Sequence, residues 1–290
     1  MIAAAQAFFM PAADRDDPAA PVAPSDQRFC VFHAAAGAQP RGCVVYIHPF
    51  AEEMNKARRM AALQSRALAA AGFSVLQIDL QGCGDSSGDF SDASWQGWID
   101  DVLRAVAWLR GRDARHAAAP LWLWGLRAGC LLAAQVGERL DAACNYCFWQ
   151  PAVAGKVLLQ QFLRLRLAAD MLGGAAKGQM EQMRAQLAQG ESVEIAGYHL
   201  PAALADGLEQ AQLAPPAHQP GRVEWFELSL REDAALLPVS TQSLSKWREA
   251  GFEVRSHLVR GPSFWQTTEI EEAPELLAQC LAAFEPGVPA

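Results

Sequence analysis

The sequence lacks the features that would tie it to a membrane or to nucleic acid. No apolar run reaches the roughly 18 residues that a spanning helix needs. Basic residues are outnumbered, 24 Lys and Arg against 32 Asp and Glu, for a net charge of −8. That deficit excludes the basic face of a nucleic-acid binder and a polybasic patch for anionic lipid. The opening MIAAAQAFFMPAADRDD has no basic n-region and only a short apolar stretch, so it does not read as a secretory signal. No H-x-x-x-H pair or clustered His/Asp set offers a metal site. Gly82-Cys83-Gly84 lacks the G-x-G-x-x-G spacing of a nucleotide loop, so neither metal nor cofactor is expected. Internal repeats and low-complexity tracts are missing as well.

The cysteines exclude a disulfide scaffold. There are seven, an odd number, scattered through apolar stretches. With no signal, they imply reduced thiols and a cytoplasmic protein. Cys144 and Cys147 have C-x-x-C spacing, but residues three apart on a strand face opposite sides, so the pair reads as structural.

What is present is an α/β pattern. At 290 residues and 51% hydrophobic content the chain suits one large α/β domain or two small ones, with a sizeable core. Apolar runs at 6–10 and 28–33 flank a Pro/Ala/Asp-rich connection, Pro11 to Asp26. Strand-like runs follow at 42–48, 73–80, 121–124, 145–150, 222–230 and 252–259. Helical patterns cover 58–71, 95–110, 130–139, 239–250 and 271–284, and 111–120 reads as an exit loop. Alternation of this kind means a mostly parallel, doubly wound sheet with helices on both faces. Residues 153 to about 218 break it, with helix-like stretches at 156–172, 175–189 and 201–213 and a short strand within 192–200.

One stretch organises the rest. Pro120 to Cys130, PLWLWGLRAGC, reads as strand, tight Gly-x-x-x-Gly turn and helix. Its middle residue, Arg127, stands above a helix N-terminus. A guanidinium stays protonated at physiological pH and cannot serve as a nucleophile.

Four stretches together resemble the α/β-hydrolase superfamily over residues 28–284. They are His48-Pro49-Phe50 after a strand, the Gly-rich turn Asp79 to Gly88, the Gly125 to Gly129 elbow, and the late strand-and-loop pair at 222–238 and 252–265. More narrowly, HPFAEEMNKARRM with LQIDLQGCGDSSGDF and WGLRAG resembles the exosortase A system-associated hydrolases, type 2. That group occurs in bacteria with the PEP-CTERM/exosortase export and exopolysaccharide system.

The resemblance implies an α/β-hydrolase core, 1–152 with 221–290, and a helical cap insertion, 153–220. It puts Arg127 at the nucleophile position and Glu232 or Asp233 at the acid position. The base position falls in the loop after the last strand, where Phe264 and Trp265 stand; no His follows His257, itself in mid-strand. The acid alone cannot run acyl transfer by the triad route. What remains is an oxyanion frame from the amides of Phe50, Ala51 and Ala128, with Glu52 and Glu53 facing it and Arg127 as a fork-shaped cation. The implied partner is a small, anionic ligand, or else Arg127 is taken up by Glu52, Glu53 or Asp233.

Other candidates divide similarly. His48 is either a general base or a structural hydrogen-bond former. Ser86 and Asp85 tie the Gly-rich turn. Cys130, the only thiol near the elbow, is either a nucleophile at a helix start or, three positions past Arg127 where the chain turns into the helix interior, a structural thiol. Asn55 and Lys56 cap a helix or are merely exposed. Trp122, Trp124, Trp95 and Trp98 read as core or pocket wall, and Arg164 and Arg166 as a solvated face. Three functions are open: a pocket protein with little serine-hydrolase activity, a hydrolase with an unusual catalytic set, and a non-catalytic partner of the export or polysaccharide machinery.

Overall fold

Strands form where β-branched and aromatic residues run uninterrupted, and their two-residue period divides the core in two. The computed structural model describes residues 5–12, 26–171, 178–217 and 220–285. In chain order the strands are β1 (Gln6–Pro11), β2 (Gln27–His33), β3 (Gly42–Ile47), β4 (Phe73–Ile78), β5 (Leu121–Leu126), β6 (Asn145–Trp149), β7 (Val193–Ile195), β8 (Tyr198–Leu200), β9 (Arg222–Ser229) and β10 (Glu253–Arg260). Eight form one sheet in the order β1-β2-β4-β3-β5-β6-β9-β10. Pairing is parallel from β4 to β10, while β1–β2 and β2–β4 are antiparallel. Of the connection foreseen between β1 and β2, residues 13–25 lie outside the described residues.

Every residue of β3 and β5 is buried. Cys43, Val45, Ile47, Leu121 and Leu123 point into one core layer. Val44, Tyr46, Trp122, Trp124 and Leu126 point into the other. Helix α1 (Glu52–Ala70) and helix α9 (Pro274–Ala283) cover the second layer. Helices α2 (Trp95–Arg110), α4 (Ala128–Gly137) and α8 (Pro238–Glu249) cover the first. The α2 stripe of Trp98, Val102, Ala105, Val106 and Leu109 is buried as its spacing requires. Ser94 caps that helix, its Oγ accepting from Gly97 N at 3.0 Å.

Three elements differ from the sequence reading. Helix α1 begins at Glu52 rather than Arg58, because the chain turns sharply at Ala51 and the two carboxylates suit a helix start. The exit loop before β5 holds a short helix, α3 (Ala114–Ala118), capped by Asp113 Oδ1 accepting from Arg115 N and His116 N at 2.9 Å. Within 192–200 two strands stand instead of one: β7 and β8 pair around Ala196 and Gly197, both at positive φ.

Between β6 and β9 lie α5 (Gly155–Met171), α6 (Gln179–Ala188), the β7–β8 hairpin and α7 (Ala202–Gln210), all outside the main sheet. Gly155 N donates to Ala211 O at 2.9 Å and Leu213 N to Val153 O at 2.9 Å, closing a neck at the base of the insertion. The start foreseen for its second helix, 175–177, and residues 218–219 of the closing segment lie outside the described residues.

Candidate functional site

The turn after β5 is made by two close approaches. A Cβ on Gly125 would stand 2.5 Å from Cys130 N, and one on Gly129 would stand 2.2 Å from Ile47 O. Only glycine lets α4 start this close to β5 and to the end of β3. Between them, Arg127 N still donates to Trp149 O of β6 at 3.1 Å. Arg127 itself takes φ 54°, ψ −111°, and α4 begins at the next residue. Ala51, the residue before α1, takes nearly the same conformation, φ 49°, ψ −124°. Such backbone costs on the order of 1–3 kcal/mol at a non-glycine residue and persists where the surroundings impose it. Two strained helix starts therefore frame one small volume.

The Arg127 side chain is held inside that volume. Its Nε donates to Glu53 Oε1 at 3.3 Å and its Nη2 to Gln161 Oε1 of α5 at 3.0 Å. Its guanidinium lies 5.8 Å from the centre of the Trp265 ring. Among the acidic partners the sequence offered, the ion pair is with Glu53, and only 12% of the Arg127 side chain is exposed.

Burial pushes the Glu53 carboxyl up to about 7 against the opposing pull of Arg127, and the neighbouring Glu52 pushes the same way. Burial raises Glu52 as well. Glu52 Oε2 is buried with no hydrogen-bond partner, and Gln266 joins Arg127 in favouring the ionised Glu53 carboxylate. Both carboxylates line a cavity of about 630 Å³, a size suited to a small molecule. Phe50, Leu158, Phe162, Leu165 and Trp265 form its apolar wall. Lys56, Gln161 and Gln266 complete its polar end, where Lys56 Nζ donates to Gln266 O at 3.5 Å.

The remaining candidates lie elsewhere. His48 is buried, with Nδ1 against Pro49 O at 2.7 Å and Nε2 accepting from Leu80 N at 3.3 Å. That pattern makes Nδ1 the donor of a neutral ring, and burial lowers its pKa. Both nitrogens are spent on backbone, so His48 holds its loop rather than facing the cavity. Asp233 is 78% exposed and forks with Arg231 at 3.2 and 3.1 Å. Glu232 is 87% exposed, 3.9 Å from Arg260. Neither lines the cavity, because the turn after β9 carries both into solvent. His257 sits on β10, its Nε2 2.7 Å from the buried Glu224 and its ring stacked on Phe226.

Phe50, Ala51 and Ala128 are buried at the two helix starts. Cys130 is fully buried, its Sγ turned to Trp149 O at 3.8 Å, and burial drives its thiol well up, which removes it as a nucleophile. Ser86 Oγ accepts from Phe29 N at 2.8 Å and donates to Asp79 O, and Asp85 N donates to Asp79 Oδ2 at 3.1 Å. Both therefore fasten the Gly-rich turn. Cys144 Sγ donates to Tyr146 Oη, whereas Cys147 lies 3.6 Å from Cys280, so the C-x-x-C thiols part to opposite faces. Trp122, Trp124, Trp95 and Trp98 are core; Arg164 is exposed, and Arg166 Nη1 donates to Glu194 O at 2.6 Å. Gln161 and Gln266 were invisible in the sequence, since a Gln on a helix or loop carries no signal until the fold delivers it. Among the described residues no group of three His, Cys, Asp or Glu is placed to hold a metal.

Known proteins share this frame. The serine aminopeptidase S33 family matches residues 38–189, just over half the chain. The human protein ABHD12B is 29% identical over 112 residues, 39% of this chain and 29% of its own, so the match spans under a third of that protein. Est1E from Butyrivibrio proteoclasticus, solved with ferulic acid bound, superposes with a TM-score of 0.60 at 14% identity, covering 89% of this chain and 92% of its own. Mouse alpha/beta hydrolase domain-containing protein 10 gives 0.58 at 16% identity and 96% of both chains. Identities this low speak for the fold alone, which is the α/β-hydrolase fold.

Proposed function

We propose that this chain, which belongs to the serine aminopeptidase S33 family of α/β-hydrolases, binds a small molecule in the cavity beside Arg127 and has given up serine-type acyl transfer. One observation carries the reading. The residue at the strained turn between β5 and α4 is an arginine that donates from Nε to Glu53 and from Nη2 to Gln161. In a working elbow that position attacks the substrate and is deprotonated by a histidine. A guanidinium cannot do so, and the loop after β10 presents buried Phe264 and Trp265 instead of an imidazole.

Arg127 and the helix-start amides of Phe50, Ala51 and Ala128 are the argument for an anionic ligand. With Glu53 on the guanidinium, an anion must displace that carboxylate, so the reading rests on the cavity and its apolar wall rather than on a free cation. Residues 153–220 act as the cap over this cavity, and the flanking 1–152 and 221–290 as the core. Leu158, Gln161, Phe162 and Leu165 of α5 support this division by contributing to the cavity. The motif HPFAEEMNKARRM with WGLRAG supports membership of the exosortase A-associated group, and with it a role beside the export or exopolysaccharide machinery. Seven free, buried thiols suit a cytoplasmic setting. No helix of the described residues is long and apolar enough to cross a membrane.

A second reading is hydrolysis by an unusual set. The Glu53 carboxyl, raised to about 7, suits a general base acting on water. A fluorophosphonate probe tests the main proposal: no labelling is expected. Labelling abolished by replacing a single serine would overturn it, and ester turnover lost in Glu53→Gln would favour the second reading.

A further inference from the structure

We propose that Arg127 is the latch of the cap: from the position where a working elbow carries its nucleophile, it ties helix α5 to the core and holds the cavity closed. The inference rests on the reading that residues 153–220 cap this cavity, and it names the device that governs their movement.

The insertion is attached as a hinged body would be. Its entry and exit run side by side: Leu213 N donates to Val153 O and Gly155 N to Ala211 O, both at 2.9 Å, and Ala154 bridges to Gln212. Away from that neck the cap rests on side chains. Phe162 of α5 meets Phe50 edge-on at 5.1 Å between ring centres, and Tyr198 of β8 meets Phe90 at 5.0 Å. Apolar burial draws such surfaces together without a fixed direction, whereas a hydrogen bond has one. The directed tie is Arg127 Nη2 donating to Gln161 Oε1 of α5 at 3.0 Å.

Arg127 is fixed at its own end. Its N donates to Trp149 O at 3.1 Å, its O accepts from Ala152 N at 3.4 Å, and its Nε donates to Glu53 Oε1 at 3.3 Å. These bonds anchor it on β6, on the linker that enters the cap and on α1. Its side chain is 12% exposed, whereas Gln161 is exposed. One end of the link is thus set in the core and the other stands on the part that would move. Parting it costs one charge-assisted hydrogen bond, which water can replace at Gln161 while Arg127 keeps Glu53. An arginine that merely plugged the elbow would need Glu53 alone. Gln161 also lines the cavity, so parting the link and opening the cavity wall are one motion.

Hydrogen–deuterium exchange of the full chain, read on peptides from α5, β5 and α4, tests the latch. Gln161→Ala is expected to speed exchange of the α5 amides about fivefold and to leave β5 and α4 as they were. Arg127→Met, which keeps an unbranched stem beside Trp265, is expected to speed α5 similarly. Adding Gln161→Ala to Arg127→Met should then bring no further change, because both remove the same bond. If Gln161→Ala leaves α5 unchanged, or loosens β5 and α4 equally, the latch is overturned. Nile red fluorescence, measured in parallel, reports whether the cavity takes an apolar probe. Unchanged α5 exchange with Nile red bound overturns the latch and spares the cavity reading. Faster α5 exchange with no Nile red bound supports the latch and overturns the cavity reading.

Discussion

At the scale of single residues, Glu53 is the most environment-dependent group in the molecule's candidate site. Its carboxyl titrates at 4.5 when free and at about 7 in the fold, because burial outweighs the attraction of Arg127. The folded state therefore holds the proton more tightly than the unfolded one. Stability contributed by this group is full below pH 4.5 and is lost as pH rises to about 7. The loss amounts to about 3 kcal/mol at most. Urea unfolding of the wild type at pH 5 and pH 7.5 should register that decline. In Glu53→Gln the decline should shrink, the remainder belonging to the other buried acids, Glu52 and Asp101, which burial also raises. An identical pH slope in both proteins would mean that Glu53 is already ionised at pH 5.

At the scale of elements, the start of α4 is the most constrained junction. Gly129 touches the carbonyl of Ile47, so a methyl group there would meet backbone rather than a movable side chain. Gly129→Ala should cost at least about 3 kcal/mol, seen as a lower urea midpoint or as loss of soluble protein. A midpoint within about 0.5 kcal/mol of wild type would mean that α4 and β3 can part at no cost. Most elements were legible because they are long and periodic. The all-buried runs of β3 and β5 and the stripe of α2 needed nothing from the rest of the chain. Helix α3 was hidden because five Ala-rich residues carry no period, and its signal was the single cap Asp113. The early start of α1 was hidden because Glu52 and Glu53 look like loop residues until Ala51 takes its strained turn.

At the scale of the whole molecule, seven cysteines end up in the interior and none is bonded to another. Burial pushes the thiols of Cys43 and Cys144 up to about 11 and drives that of Cys130 well above its ordinary value. Thiolate, not thiol, reacts with disulfide reagents. The native protein should therefore react with Ellman's reagent only on the timescale of unfolding, and seven thiols should titrate at once in guanidinium. Rapid reaction of one thiol in native protein would reveal a mobile segment of the core.

The sequence by itself determined the doubly wound sheet, the strand–turn–helix around Arg127 and the absence of an imidazole after β10. Each of these is local: periodicity, a pair of glycines, or the identity of one residue. Only the tertiary structure decided which acid Arg127 meets, and it selected Glu53 with Gln161 while leaving Glu232 and Asp233 in solvent. It also spent both nitrogens of His48 on backbone and paired His257 with Glu224. Those outcomes depend on distances between segments far apart in the chain, and on which side chains lose water together. A linear sequence fixes neither until α1, α5 and the loop after β10 close around one cavity.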